Sequence, residues 1–367
     1  MKNDSLVTTL PPVAGRVEPD PIATRSRGAS TVRIGVIGYG YWGPNIVRNF
    51  HSLEHCQVVS VCDKNEAALK RAARGYPGLH LTTDFNEVLR SPDIDAVAII
   101  TPVYTHFELA KAALENGKHV FVEKPFTSTS QQAEVLIELA EQKNLRIMVD
   151  HTFLFSGAVR KIRDLVDNGT LGPLYYYDST RVNLGLFQHD VSVLWDLAPH
   201  DLSIMDHLIV EKPEAVVATG SNHLNHLADM AFITVYFPGN VIAHVNVNWL
   251  SPVKVRTTLI GGRDKMLVWN DLEPDEKIKV YDKGVEITQR ESVYDLLVSY
   301  RSGDVWGPKV DSTEALKVEL QYFIDCILKE ETPSNDGAAS DGTTSDAIAD
   351  PSMSASDGTV TEATIPV

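Results

Sequence analysis

A chain of 367 residues with 43% hydrophobic content has room for two domains with buried cores, and its longest apolar stretches are strand-length, short of the roughly 20 residues of a membrane-spanning helix. A formal charge of -16 excludes the basic footprint that nucleic acid or an anionic membrane surface demands. Three cysteines, Cys56, Cys62 and Cys326, are too few for a disulfide framework, and no Cys/His spacing marks a metal site, so they read as buried reduced thiols.

The first 30 residues are polar, carry Pro11 and Pro12, and lack the apolar core of a signal peptide. They read as a disordered extension, residues 1–30, of a cytoplasmic protein. From 31 to 150 short apolar runs alternate with helical periodicity. The runs over 32–37, 57–62, 96–100, 119–122 and 146–149 read as buried strands. The spacing predicts a helix over 105–116, with Leu109, Ala110, Ala113 and Leu114 on one face and Gly117 as the stop, and another over 129–142 opened by Ser128 and Gln131 in capping-box spacing. Strand and helix in alternation imply a parallel sheet with right-handed crossovers.

After the first strand comes Gly38-Tyr39-Gly40-Tyr41-Trp42-Gly43, a Gly-x-Gly-x-x-Gly turn leading into a helix. Gly38 suits the tight turn, Gly40 lets a pyrophosphate approach the backbone, and Gly43 allows close packing of helix on sheet. The helix N-terminus then offers amide groups to the anion. Asp63 closes the second strand about 20 residues after Gly43. An acid there accepts both ribose hydroxyls and repels a 2'-phosphate, which favours NAD over NADP. The same residue also reads as a strand-end turn aspartate, and Lys64 beside it would tolerate a phosphate.

Thr101-Pro102 and Glu123-Lys124-Pro125 each follow a strand, at the carboxyl ends where ligands sit in open α/β sheets. Hydride transfer from a secondary alcohol needs a group that receives the hydroxyl proton. An exposed lysine is a poor base at neutral pH. A buried one beside the positive nicotinamide ring is suited to the task, so Lys124 is a candidate catalytic residue; the alternative is a surface lysine after a strand.

Residues 151–332 read as a second domain. Strand-like segments over 174–182, 215–220, 230–237, 241–248, 253–260, 265–269 and 277–281 are joined in places by Pro238-Gly239-Asn240 and Asp282-Lys283-Gly284, both hairpin-turn sequences. Such strands pair antiparallel. Helices over 197–209 and 313–328 would cover one face of this sheet, the latter through Leu316, Leu320, Phe323, Ile324 and Ile327. The expected fold is therefore an α/β Rossmann domain followed by an α+β domain with an open, mainly antiparallel sheet. Asp196 and His200, four apart on the first of these helices, share a face and stand within reach of a hydrogen bond that would fix the imidazole tautomer. Alone the pair is ambiguous, since Asp196 also reads as an N-cap and His200 as a surface histidine. No Lys or Arg follows Lys329, and residues 333–367 read as a disordered acidic tail.

With these residues in hand the chain resembles the Gfo/Idh/MocA family of NAD(P)-dependent oxidoreductases over about 32 to 337. The resemblance rests on the glycine loop, on Thr101-Pro102 with His106, on Gly117-Lys118-His119-Val120 running into Glu123-Lys124-Pro125, and on Asp196 with His200. It implies that Lys124 and His200 handle the substrate proton, that Asp196 supports His200, and that Glu123 lies near the nicotinamide ribose. It also implies cofactor contacts from Tyr41, Trp42, Thr101, Pro102 and His106, and homodimers or homotetramers packed through the second sheet. Trp195 to Ile204, Trp249-Leu250-Ser251-Pro252 and Tyr300-Arg301-Ser302-Gly303-Asp304 resemble members of bacterial nucleotide-sugar and surface-polysaccharide pathways. The expected activity is hydride transfer between NAD and a sugar ring hydroxyl, C3 of a UDP-linked N-acetylhexosamine or uronic acid, with Arg181 and Asn183 as substrate contacts. An inositol or free-sugar dehydrogenase, an NAD-using glycosidase and a non-catalytic NAD-binding module are the rivals. The acidic tail departs from relatives, which continue past Pro333 to Gly337 into a closing apolar helix.

Overall fold

The computed structural model describes residues 31–185, 191–290, 296–335 and 365–366, with 285–290, 296–301 and 365–366 described by backbone alone. The extension expected over 1–30 and nearly all of the tail expected over 333–367 lie outside the described residues.

Six strands, β1 (Val32–Ile37), β2 (Cys56–Cys62), β3 (His80–Thr82), β4 (Ala96–Ile99), β5 (His119–Val122) and β6 (Ile147–Val149), form a parallel sheet in the order β3-β2-β1-β4-β5-β6. Every residue of β4 is buried. Short runs apolar on both faces settle in a parallel sheet because crossover helices cover both sides. Those helices are α1 (Gly43–His51), α2 (Glu66–Gly75), α3 (Phe85–Arg90), α4 (His106–Glu115) and α5 (Ser130–Gln142). β1 lies between β2 and β4, so the chain winds outward one way and then the other. That reversal opens a crevice beyond the carboxyl ends of β1 and β4. β3, three residues long, shows no apolar run to read. The cap of α5 sits one residue beyond its expected place: Thr129 Oγ1 accepts from Gln132 N at 3.3 Å, and Gln132 Oε1 accepts from Ser128 N at 3.2 Å.

After α6 (Gly157–Asp167) the second sheet begins with β7 (Leu174–Val182), which is followed by α7 (Val193–Leu208). The remaining strands are β8 (Ala215–Ser221), β9 (Met230–Tyr236), β10 (Ile242–Asn248), β11 (Val255–Gly262), β12 (Met266–Asn270), β13 (Ile278–Arg290) and β14 (Leu296–Trp306). Their order is β14-β13-β12-β11-β7-β10-β9-β8, and β10 pairs with β7 in parallel while the other ladders among them are antiparallel. A core around Tyr177, Ile233, Val245 and Trp249 fills the space under α6 and α7. The opposite face carries Phe232, Tyr236 and Ile242, all partly exposed.

Two expectations are corrected here. Gly239 (φ 76°) and Asn240 (φ 65°) do turn the chain, but Asp282-Lys283-Gly284 does not. It lies inside β13, which passes a register shift between Tyr281 and Lys283 and runs on against β14. The helix expected on the second sheet, α8 (Ala315–Lys329), packs instead on the first. Its Leu316, Leu320, Phe323, Ile324 and Ile327 join Val32, Ile34, Phe50, Phe121 and Met148 in one core. Phe121 stands 5.7 Å from Phe323 and 6.1 Å from Phe50, in tilted and edge-on geometry that aromatic pairs favour. Among the described residues no helix is long and apolar enough to cross a membrane.

Candidate active site

The glycine loop has the geometry its spacing requires. Gly38 has φ +103°, and a Cβ there would lie 2.1 Å from the Ile100 carbonyl oxygen, so a side chain is excluded twice over. A Cβ on Gly43 would meet the Gly38 carbonyl oxygen at 2.5 Å, which is how closely α1 packs on the turn. Gly40 differs, since a Cβ there would have nothing within 4 Å and would project into open space. No side chain caps the N-terminus of α1. Tyr41 and Trp42 stand exposed at the loop rim, ring edge to ring face.

Asp63 reaches back to this loop. Its Oδ2 accepts from Tyr39 N at 2.6 Å and its Oδ1 from Asn65 N at 2.7 Å. It thus serves as a strand-end turn residue, and each oxygen keeps a lone pair for a ribose hydroxyl. The open surface over Gly40, the uncapped helix and this acid together fit a dinucleotide.

His106 is only 1% exposed. Its Nε2 lies 2.7 Å from the Thr101 carbonyl oxygen and its Nδ1 2.9 Å from that of Pro125. Burial pushes its pKa down and the two carbonyls oppose that shift. The ring braces the turn after β4 against the turn after β5. It therefore positions Thr101, whose hydroxyl is 2.7 Å from that of Thr105, rather than facing a ligand itself.

Lys124 follows β5 through Glu123 and precedes a cis Lys124-Pro125 peptide. Its Nζ donates to the Asp196 carbonyl at 2.6 Å and to Asp196 Oδ1 at 3.1 Å, in the first turn of α7. Asp196 Oδ2 accepts from Trp249 Nε1 at 3.2 Å, just past β10. The expected Asp196–His200 hydrogen bond is replaced by these two contacts. Four-residue spacing puts both side chains on one helix face, yet the cation from the other sheet is the stronger partner for the carboxylate. His200 Nδ1 is buried without a hydrogen-bond partner, and its ring lies 5.0 Å from that of Phe153. Burial first, then Lys124 and Arg181, hold His200 well below the usual histidine range. It is neutral at pH 7.

Behind Lys124 lie Glu123, which the Glu-Lys-Pro motif marks, and Asp150, His151 and Glu319, which no local pattern marks. Burial and the neighbouring Asp150 raise the Glu123 carboxyl well above its ordinary value. Glu319 of α8 is fully buried beside Asp150 and Thr152, and burial first, then Asp150, raises its carboxyl well above its ordinary value. His151 is pushed down to about 4 by burial, with Lys124 adding to the shift. Arg181 is buried against Asp201, with Nε 2.6 Å from Oδ2. Asn183 continues past β7, its amide donating to the Asn248 carbonyl at 3.0 Å. Among the described residues no cluster of three or more His, Cys, Asp or Glu converges as a metal site.

Known proteins share this architecture. Residues 32–151 match the oxidoreductase family with NAD-binding Rossmann fold named GFO_IDH_MocA, and residues 159–267 match the GFO/IDH/MocA C-terminal domain. The chain is 26% identical over 317 residues to UDP-N-acetylglucosamine 3-dehydrogenase of Acidithiobacillus ferrooxidans, covering 84% of this chain and 92% of that protein. It is also 26% identical over 316 residues to scyllo-inositol 2-dehydrogenase (NAD(+)) of Bacillus subtilis, covering 82% and 88%. Levoglucosan dehydrogenase in complex with NADH shares the fold, with TM-score 0.72 and 20% identity over 86% of this chain and 95% of that one. On the two matched domains and the glycine loop they contain, the chain belongs to the Gfo/Idh/MocA family of oxidoreductases, whose first domain binds NAD.

Proposed function

We propose that the protein oxidises a secondary hydroxyl of a sugar ring, C3 of a UDP-linked N-acetylhexosamine or its uronic acid, or runs the reverse reduction. The observation that carries this reading is Lys124, fixed by Asp196 at the carboxyl end of β5 with neutral His200 on the same helix. Bound NAD supplies the hydride acceptor. The protein's own residues manage the proton, which must leave the hydroxyl as the carbon loses hydride. As the carbon loses hydride, neutral His200 takes the hydroxyl proton, and Lys124 donates to the same oxygen and steadies the charge that develops there. The similarity to UDP-N-acetylglucosamine 3-dehydrogenase supports a nucleotide sugar, and the similarity to scyllo-inositol 2-dehydrogenase makes inositols the first comparison.

The open face of the second sheet, with Phe232 stacked on His244 at 6.1 Å beside Tyr236 and Ile242, supports a homodimer or homotetramer. Light scattering on the purified chain tests that assembly.

The activity is tested by offering UDP-sugars and inositols with NAD and following NADH absorbance. Lys124→Ala lowers kcat by about a thousandfold while NAD still binds. Near-normal turnover in that variant sinks the assignment.

A further inference from the structure

The loop over 222–229 joins β8 to β9. Ser221 pairs with Met230, Met230 with Asn248, and Asn248 with Val182, so the loop leaves the second sheet at the end from which Trp249 and Asn183 continue. Two backbone hydrogen bonds fasten it there. The Trp249 amide donates to the Asp229 carbonyl at 2.9 Å, and the amide of Val193, the first residue of α7, donates to the Ala228 carbonyl at 2.8 Å. Asp196 lies on α7 and accepts from the Trp249 indole, so the loop is tied to both groups that set the partner of Lys124.

Within this loop a buried acid holds an open imidazole. Asp229 is 1% exposed, and its Oδ2 accepts from the amides of His223 at 2.7 Å and Leu224 at 3.1 Å. Its Oδ1 lies 2.8 Å from His223 Nδ1. A carboxylate only accepts, so in the neutral ring the proton sits on Nδ1 and Nε2 is left as an acceptor. The His223 side chain is 47% exposed, and Nε2 has no hydrogen-bond partner among the described residues. The two amide contacts already staple the loop. The third spends a buried oxygen on fixing one rotamer and one tautomer of an open side chain, an ordering that folding does not require.

We propose that His223, aimed by Asp229, is a substrate-binding residue whose Nε2 accepts a hydrogen bond from the part of the substrate beyond the reacting ring. The inference rests on the sugar-oxidoreductase reading above. His223 connects to Lys124 only through Asp229, Trp249 and Asp196, so it stands apart from the reacting oxygen. A free polyol ends at its ring, whereas a sugar that carries a nucleoside brings further hydroxyl and N–H donors. The pair therefore favours the longer substrate, with Asp229 as the positioning residue.

The test uses the full chain loaded with NADH, so that an alcohol binds without reacting, and calorimetry with UDP-N-acetylglucosamine and scyllo-inositol. His223→Phe removes the acceptor and weakens the nucleotide sugar by about fivefold to tenfold, the margin of one uncharged hydrogen bond, while scyllo-inositol and NADH bind as before. His223→Gln, which returns an acceptor oxygen, recovers part of the loss. Asp229→Asn keeps an oxygen for the two amides but turns a donor towards Nδ1, which moves the ring proton to Nε2. It weakens the nucleotide sugar by less, and adds nothing in the His223→Phe background. With NAD and turnover, His223→Phe raises KM and leaves kcat in place. An unchanged affinity in His223→Phe overturns the proposal, as does a loss shared equally by scyllo-inositol, which would mark collapse of the loop. Native protein that binds scyllo-inositol alone overturns it too. His223-dependent binding of the nucleotide sugar with no NADH formed from it leaves the subsite standing and sinks the dehydrogenase reading.

Discussion

Lys124 Nζ lies 2.6 Å from the carbonyl oxygen of Asp196 and 3.1 Å from its Oδ1, joining residues 72 apart in sequence, one just past β5 and the other on α7. The aspartate spends its two carboxylate oxygens on Lys124 and Trp249, and His200 Nδ1, on the next turn, is buried without a hydrogen-bond partner. We therefore propose Asp196 as a positioning residue for the lysine.

Asp196→Asn lowers kcat by up to about 100-fold, the scale set by a displaced catalytic group. Combined with Lys124→Ala it adds little further loss, because the two act as one unit. Trp249→Phe moves kcat in the same direction by less. An Asp196→Asn loss that adds in full to that of Lys124→Ala would return the aspartate to His200.

Gly40→Val leaves thermal stability within about 1 °C, since its side chain enters open space, but weakens NAD binding by tenfold or more as it occupies the pyrophosphate path. Gly38→Ala behaves oppositely. Its positive φ and the Ile100 carbonyl make it lose about 2 kcal/mol or more of stability. Calorimetric melts and NAD titrations of the two variants separate ligand approach from backbone demand.

The glycine loop was legible because its three demands are local, each set by atoms a few residues away or by the next strand. The apolar stripe of α8 was equally plain, yet a stripe says only that a helix is covered, and the surface that covers it lies some 170 to 290 residues upstream. Asp196 and His200 were paired on helix spacing, which knows nothing of a lysine arriving from another sheet. Asp282-Lys283-Gly284 carries turn chemistry that a long cross-strand ladder overrides. The loop carrying His223 meets Trp249 only through sheet order, and no linear motif records that.

His151 and His200 both titrate below their unfolded range, so each favours the folded state above pH 6.5 and loses that contribution as pH falls towards its folded value, about 4 for His151. The native protein thus loses Tm relative to His151→Gln between pH 7 and pH 4.5. Melts across that window check the sign. A gap that stays constant would place His151 in solvent.

Glu319 titrates in the other direction. Its raised carboxyl is matched to the folded state below about pH 4.5 and becomes costly as pH rises through its folded value. Glu319→Gln keeps the shape without the charge, so its Tm exceeds that of the native protein by about 3 °C or more at pH 8, with the gap closing at pH 5. An equal or lower Tm at pH 8 would show that the carboxylate is satisfied as it stands.

α8 also has a temporal consequence. It completes the hydrophobic cover of β1 and Phe121, and just beyond it Asn335 exchanges hydrogen bonds with Val149 while Arg146 donates to the Glu330 carbonyl. The nucleotide-binding half is therefore discontinuous along the chain. A ribosome that has finished residue 150 has made every strand of that half but not the helix that seals it. Its core must wait, partly uncovered, until the whole second sheet has been synthesised.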